Sequence, residues 1–169
     1  MTDSSKIIVV TGQRGSQIRD FKRFRAIIVH FFEWLLFEKN PSEYTLIHGC
    51  CNGADLMAAQ IASDLGLTVI GIPADWTRYG RAAGPIRNRL MLEYKPFIVA
   101  AFHEDIKSSK GTKNTVVTAL EMNLDVWVSW KNLDGYYHPV RRIWISNQTD
   151  KKYSRFLLGK ILETDDKYE

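Results

Sequence analysis

The sequence has few cysteines, few prolines and no long apolar run. Only two of its 169 residues are cysteine, and Cys50 and Cys51 are adjacent. Neighbouring cysteines rarely bridge each other, and no spacing here suits a metal. A disulfide-stapled or zinc-organised scaffold is therefore excluded, and a reducing, cytoplasmic compartment is expected. Five prolines are too few for a proline-rich linker or a fibrous repeat. The longest apolar stretch, Ala26 to Phe37, is broken by His30 and Glu33 and is too short to span a bilayer. Met1-Thr-Asp-Ser-Ser leads straight into a strand-like run, so no signal peptide is expected. No strong excess of one charge exists either. Lys and Arg number 23 against 19 Asp and Glu, a net charge of +4. The basic residues are spread along the chain, so the composition does not demand nucleic-acid binding. With 45% hydrophobic and 25% charged residues, the chain has the balance of a folded domain. Its length allows one domain with a sizeable core.

Lys6 to Thr11 is an unbroken apolar run ending at Gly12, the pattern of a strand buried on both faces. Ile18 to Lys39 carries Phe24, Ile27, Ile28, Phe31 and Leu35 at helical spacing. Phe32, Trp34, Leu36 and Phe37 widen that apolar face, so the helix is either deeply buried or meets a partner subunit. Further strands are predicted at Tyr44–His48, Leu67–Ile72, Pro96–Phe102 and Asp125–Trp130. Helices are predicted at Gly53–Leu65, Pro85–Tyr94 and Thr112–Asn123. This alternation predicts an α/β, Rossmann-like parallel sheet of about five strands with helices on both faces. Ligands in such sheets bind outside the carboxyl ends of the strands. After Trp130 the rhythm breaks. Arg141–Ser146 reads as an extra strand and Tyr153–Glu163 as a short helix. Residues 1–130 are expected to form the ligand-binding domain, with 131–169 a C-terminal extension packed on it.

Four segments that follow strands carry the chemistry. In Thr11-Gly12-Gln13-Arg14-Gly15-Ser16, the glycine permits a tight turn and close backbone approach, as an ordinary βα turn also would. His48-Gly49-Cys50-Cys51-Asn52-Gly53-Ala54-Asp55 enters a helix through small residues, a loop type that aims N–H groups and a helix N-terminus at an anion. It lacks the Lys-Ser/Thr of a Walker loop. Asp55 can instead simply complement the helix dipole, and the cysteines read as small structural thiols. The third segment runs from Pro73-Ala74-Asp75-Trp76 through Gly84-Pro85-Ile86-Arg87-Asn88. Pro85 suits the first position of a helix, which puts Arg87 in the first turn, where the dipole disfavours a cation. Arg87 then needs an anion: a ligand phosphate, with Asn88 assisting, or a local carboxylate such as Asp75. Trp76 and Tyr79 offer flat faces for a base, or packing. The fourth segment, Ser108-Ser109-Lys110-Gly111-Thr112-Lys113-Asn114-Thr115, again opens a helix with Gly and small polar residues beside a Lys. Helix starts at Gly53, Pro85 and Thr112, converging with Arg87 and Lys113, point to an anionic ligand.

Together TGQRG, HGCCNGAD, PADWTRYGRAAGPIRNRLM and KGTKNT resemble the YspA/YpsA-related branch of the SLOG superfamily, over roughly Lys6 to Trp130. That superfamily is Rossmann-like and includes DprA and the lysine-decarboxylase-like LOG proteins. The resemblance implies a pocket for nucleotides or their derivatives, such as NAD-related or ADP-ribose-like molecules or a nucleotide second messenger. It implies first-loop contacts at Gly12 and Arg14 and second-loop contacts at Gly49, Gly53 and Asp55, with Asn52 between them. It also implies the pair Arg87–Asn88 and the turn Gly111–Thr112, with Lys113 and Asn114 beside it. Two positions depart from the pattern. The second loop usually reads Gly-Gly-Ala, against Gly49-Cys50-Cys51 here, which is expected to narrow that turn. In LOG phosphoribohydrolases a glutamate follows the Gly-Thr turn by three residues, and here that position is Thr115. Short standalone members also resemble copies found in phage genomes, which implies a regulatory or counter-defence role in a host cytoplasm.

The leading expectation is a binding module that senses or sequesters a phosphate-bearing nucleotide-derived ligand, with no further cofactor and no metal. The alternatives are an N-glycosidic hydrolase, with Asp55, Asp75 and Glu121 as the available acid/base groups, and a DprA-like nucleic-acid binder using the basic helix Arg19–Arg25. The wide face of the first helix makes a homo-oligomer an expectation too.

Overall fold

The computed structural model describes residues 6–106 and 108–129. The predicted strand and helix beyond Trp130, and with them the C-terminal extension, lie outside these residues.

Apolar runs rich in β-branched residues form the strands. They are β1 (Ile7–Gly12), β2 (Thr45–His48), β3 (Thr68–Gly71), β4 (Ile98–Phe102) and β5 (Val126–Ser129). All neighbours pair in parallel, in the order β3-β2-β1-β4-β5. The order reverses at β1, so β1 and β4 flank the topological switch point. Their register runs from Ile8 opposite Ile98 to Gly12 opposite Phe102.

The helices are α1 (Phe21–Leu35), α2 (Ala54–Asp64), the single turn α3 (Trp76–Tyr79), α4 (Ala83–Glu93) and α5 (Lys110–Glu121). Strand alternation sorts them onto two faces. Ile8 and Val10 of β1 join α1 and α2 in one core, while Ile7 and Val9 join α4 and α5 in the other. Capping chemistry sets the helix ends. Asp20 accepts from the Arg23 N–H at 3.0 Å and starts α1, and a short 3-10 turn at Gly15–Gln17 precedes it. Helix α2 ends where the Leu67 N–H returns to the Ala62 carbonyl and the Gly66 N–H to Ser63, with Gly66 at φ 92°. Helix α5 ends in the same way at Asn123, φ 57°.

One bound needs correction, and one of two open alternatives is borne out. Helix α1 is shorter than Ile18–Lys39, because Asp20 caps it late and it closes at Leu36. Its wide apolar face is also consumed within the chain. Phe24, Ile28, Phe31, Phe32, Leu35 and Leu36 are buried. The Phe31 ring packs 5.4 Å from Phe102 and 4.8 Å from Trp127, centroid to centroid. Phe37, beyond the helix end, is exposed. The helix that made a partner subunit plausible therefore already has its partner, the sheet.

Phe31 sits where α1, β4 and β5 meet, so Phe31→Ala should cost about 3–5 kcal/mol in urea denaturation. Phe37→Ala should stay within about 0.5 kcal/mol. Equal losses at the two positions would contradict this division of the α1 face.

Candidate functional site

The first two loops are clasped together by backbone. Arg14 and Gly53 form an isolated antiparallel bridge, flanked by Gly15 N–H to the Asn52 carbonyl (2.8 Å) and Ala54 N–H to the Gln13 carbonyl (2.9 Å). Gly53 adopts φ 121°, and a Cβ there would overlap the Gln13 carbonyl oxygen. Gln13 ties this clasp to the far side of the switch point. Its N–H donates to the Phe102 carbonyl at 2.8 Å, its side-chain oxygen accepts from the Glu104 N–H at 2.8 Å, and its Nε2 donates to Gln17 O. Gln13 is buried and was not among the expected site residues. Its partner Glu104 is 91 positions away, so no local pattern announces the contact.

The second loop does not offer its N–H groups to an anion. Oδ2 of Asp55 accepts from both Gly49 N–H (3.0 Å) and Cys51 N–H (3.2 Å). Nδ1 of His48 accepts from Cys50 N–H at 3.1 Å. Three successive donors are thus spent on holding the loop. Cys50, where the family pattern has glycine, takes φ 61°, a conformation that favours glycine. Asp55 is buried, and burial pushes its carboxyl up to about 6. The Cys51 N–H, the Arg87 charge and the Gly49 N–H offset this in part. His48 is held below the usual imidazole range, first by burial and then by Arg87. An Nδ1 that accepts a hydrogen bond cannot also carry a proton, so His48 presents Nε2–H. His103, at the end of β4, repeats the arrangement: its Nδ1 accepts from the Asp105 N–H at 2.9 Å, and burial lowers its pKa.

Arg87 is also placed differently from the sequence expectation. Helix α4 begins at Ala83, so Pro85 is its third residue and Arg87 lies past the first turn. The helix-dipole reason for an anion at Arg87 therefore falls away. The side chain is buried, and its guanidinium donates to the carbonyls of Gly49 and, at 3.3 Å, Ile72. Its Nε donates to Asn88 Oδ1 at 3.0 Å, and Nη2 lies 3.7 Å from Cys51 Sγ. A Cβ on Gly49 would overlap the guanidinium, which is why glycine stands there. Asp75 is not its partner; that carboxylate caps α3 by accepting from the Arg78 N–H at 3.0 Å. Asn88 passes the network to α5 through Asn114 at 3.4 Å.

Helix α5 begins earlier than expected, at Lys110, with Ser109 Oγ accepting from the Thr112 N–H at 3.0 Å. Thr112 is buried in its first turn, whereas Gly111 is exposed and a Cβ there would meet nothing within 4 Å. Thr115, at the position of the LOG glutamate, is fully buried and donates its hydroxyl to the Gly111 carbonyl at 3.2 Å. Glu121 is the last residue of α5. At 1.5 Å per residue it lies about 15 Å from the end that opens on the switch point, and it leaves the site. Trp76 and Tyr79 are exposed on α3. Arg78 stacks over the Tyr79 ring at 5.0 Å. Among the described residues, no cluster of three or more metal-ligating side chains exists.

The pH dependence of stability follows from these environments. Asp55 binds its proton more tightly folded than unfolded, so its stabilising contribution is complete below 3.8 and is lost as pH rises through about 6. His48 and His103 act oppositely: their contribution is lost as pH falls below 6.5. An Asn Oδ1 can accept both loop N–H groups, so Asp55→Asn keeps the clasp and removes only the Asp55 titration. The stability of wild type minus Asp55→Asn should fall between pH 4 and about 6.5 and be flat above it. Parallel curves in denaturant titrations would refute this. Arg87→Ala leaves buried carbonyls unsatisfied and should cost about 2–3 kcal/mol of folding stability, with Arg87→Lys recovering only part. An unchanged urea midpoint for Arg87→Ala would show that the guanidinium does not hold the loops.

Residues 6–79 match the model of the YspA, cpYpsA-related SLOG family. No curated protein matches the sequence. Among solved structures, DNA processing protein A (DprA) from Streptococcus pneumoniae is similar with TM-score 0.57 and 16% identity. That similarity covers 92% of this chain and 57% of DprA, so this chain spans little more than half the length of that protein. The molybdenum cofactor binding protein from the phototrophic bacterium Rippkaea orientalis is similar with TM-score 0.55 and 17% identity, covering 94% of this chain and 98% of that one. Identities this low establish a shared Rossmann-like fold. The family match ends at Tyr79, before Arg87, Asn88 and the α5 turn, whose place in the site rests on geometry. Residues 6–79, which carry the clasped first and second loops, are thus similar to the YspA, cpYpsA-related SLOG family.

Proposed function

We propose that this protein binds, and so senses or sequesters, a phosphate-bearing nucleotide-derived ligand without turning it over. The observation that carries the reading is the open first turn of α5. Gly111 has empty space where a side chain would stand, beside the β1–β4 switch point and among the partly exposed Lys113 and Asn114. A helix N-terminus with no side chain in the way lets a phosphate approach backbone N–H groups. Exposed Arg14, on the clasp, supplies a second cation. Trp76 offers a flat face for a base. In this reading Gly12, Gly49, Asn52, Gly53, Asp55, Arg87 and Asn88 shape the floor and the loops, while Arg14, Gly111, Thr112, Lys113 and Asn114 meet the ligand. The similarity of residues 6–79 to the SLOG family supports a ligand-binding role, as does likeness to a protein described as binding the molybdenum cofactor.

Hydrolysis finds little support. The Asp55 oxygen is occupied by two N–H groups, Asp75 caps α3, Glu121 is at the wrong end of α5, and Thr115 replaces the LOG glutamate. A role as an NAD- or ADP-ribose-sequestering phage counter-defence protein would be one use of such a site.

Gly111→Ala separates binding from folding. Helix propensity favours Ala by about 1 kcal/mol, so the variant should be slightly more stable. It should nonetheless bind the ligand identified by mass spectrometry of material released from the purified protein at least about tenfold more weakly, a loss of about 1.4 kcal/mol. Lys113→Ala should weaken binding by a similar factor. AMP, NAD and ADP-ribose incubated with the wild type should be recovered intact. Release of free base at catalytic protein amounts would overturn the binding-only reading, and unchanged affinity in Gly111→Ala would move the site away from α5.

A further inference from the structure

His103 is a buried titratable side chain that neither the loop clasp nor the α5 turn uses. It follows β4 directly, and the backbone on both sides of it is pinned by Gln13. The Gln13 N–H donates to the Phe102 carbonyl, and the Gln13 side-chain oxygen accepts from the Glu104 N–H, each at 2.8 Å. His103 is therefore fixed at the β1–β4 switch point, where Phe102 stands opposite Gly12. Val99 and Ala101 of β4 lie in the core shared with α4 and α5, and strand alternation carries His103 to that same face. The first turn of α5, with its open Gly111, begins on this face.

The imidazole has one committed nitrogen and one open one. Nδ1 accepts from the Asp105 N–H at 2.9 Å, so the neutral ring carries its proton on Nε2. Among the described residues nothing accepts from that Nε2–H, and none of their buried side-chain nitrogens or oxygens lacks a partner. Nε2 is therefore open to solvent, although only 6% of the residue is exposed. His48 differs. Its Nδ1 is engaged in the same way, but its Nε2 lies against Gly71, where an added Cβ would meet both it and the Cys50 sulfur.

The charge around His103 indicates what its donor receives. Burial holds the ring below the usual imidazole range, and the Asp105 and Glu104 carboxylates lie close enough to oppose this in part. A neutral N–H beside two carboxylates is a poor seat for a phosphate dianion and a good one for an uncharged oxygen.

We propose that His103 Nε2–H donates to a hydroxyl or carbonyl oxygen of the nucleoside part of the ligand, next to the phosphate on the first turn of α5. The assignment rests on the phosphate reading of that turn. It adds the group that distinguishes a nucleotide from a bare phosphate.

The test is titration of the full chain with AMP, ADP-ribose and inorganic pyrophosphate. Two variants separate a ligand donor from a loop support. In His103→Asn the side-chain oxygen still accepts from the Asp105 N–H, as in an Asx turn, but no donor reaches the Nε2 position. In His103→Gln the amide nitrogen stands in for Nε2, and the contact to Asp105 is lost. His103→Asn should bind the tighter of the two nucleotides about five- to tenfold more weakly than wild type, while His103→Gln stays within about threefold. Pyrophosphate should bind all three proteins equally. The reverse ranking, with His103→Gln weak and His103→Asn like wild type, would show a loop support and overturn the proposal. An equal loss for pyrophosphate in His103→Asn would put a phosphate at His103 and overturn it too. Either result leaves the α5 site standing if Gly111→Ala weakens all three probes. A wild type that binds none of them overturns both readings.

Discussion

The buried guanidinium of Arg87 is the interaction on which the functional edge depends. It reaches from α4 to the Gly49 carbonyl after β2 and the Ile72 carbonyl after β3, so one side chain fixes two loops on adjacent strands. A buried cation needs compensation, and the Asp55 carboxylate nearby, whose ionised form Arg87 favours against the effect of burial, has its Oδ2 gathering the Gly49 and Cys51 N–H groups. Acceptor and donor groups of the same short loop are therefore satisfied from opposite directions. Planar, multiply donating geometry suits this task in a way a point charge does not. Glycine at position 49 is the steric condition for it.

From that contact, rigidity passes in both directions along the edge. Asn88 takes it to Asn114 and hence to α5. The Arg14–Gly53 bridge takes it to the first loop, and Gln13 carries it across the switch point to β4. A site held this way is formed before any ligand arrives, which spares binding the entropic cost of ordering loops. It also separates two kinds of glycine. Gly49 and Gly53 are required by the protein's own packing, whereas a Cβ on Gly111 would meet none of the described residues within 4 Å.

Much of the fold was legible in the sequence because strands buried on both faces leave unbroken apolar runs, and each of the five was placed to within a residue or two. The helix ends were less so. Proline favours the first helical position, but the first turn needs no N–H donors, so Pro85 is tolerated at the third position as well. That shift of two residues takes Arg87 out of the first turn, and its guanidinium donates to the Gly49 and Ile72 carbonyls. The fate of the second-loop amides depended on Asp55 folding back over its own helix start, and Gln13 depended on Glu104 in the loop after β4, far along the sequence. Neither leaves a local periodicity to read. The wide face of α1 needs cover, but spacing alone does not distinguish the sheet from a second subunit.

The central claim is that a preformed edge around the β1–β4 switch point receives a phosphate-bearing ligand. Backbone amide chemical shifts recorded while the released ligand is titrated back into ligand-free protein test it most directly. The account predicts large shifts in residues 12–16 and 110–114, with residues 49–53 responding little because their N–H groups are already engaged. Shifts confined to the opposite end of the strands, or concentrated on the Gly49, Cys50 and Cys51 amides, would contradict it.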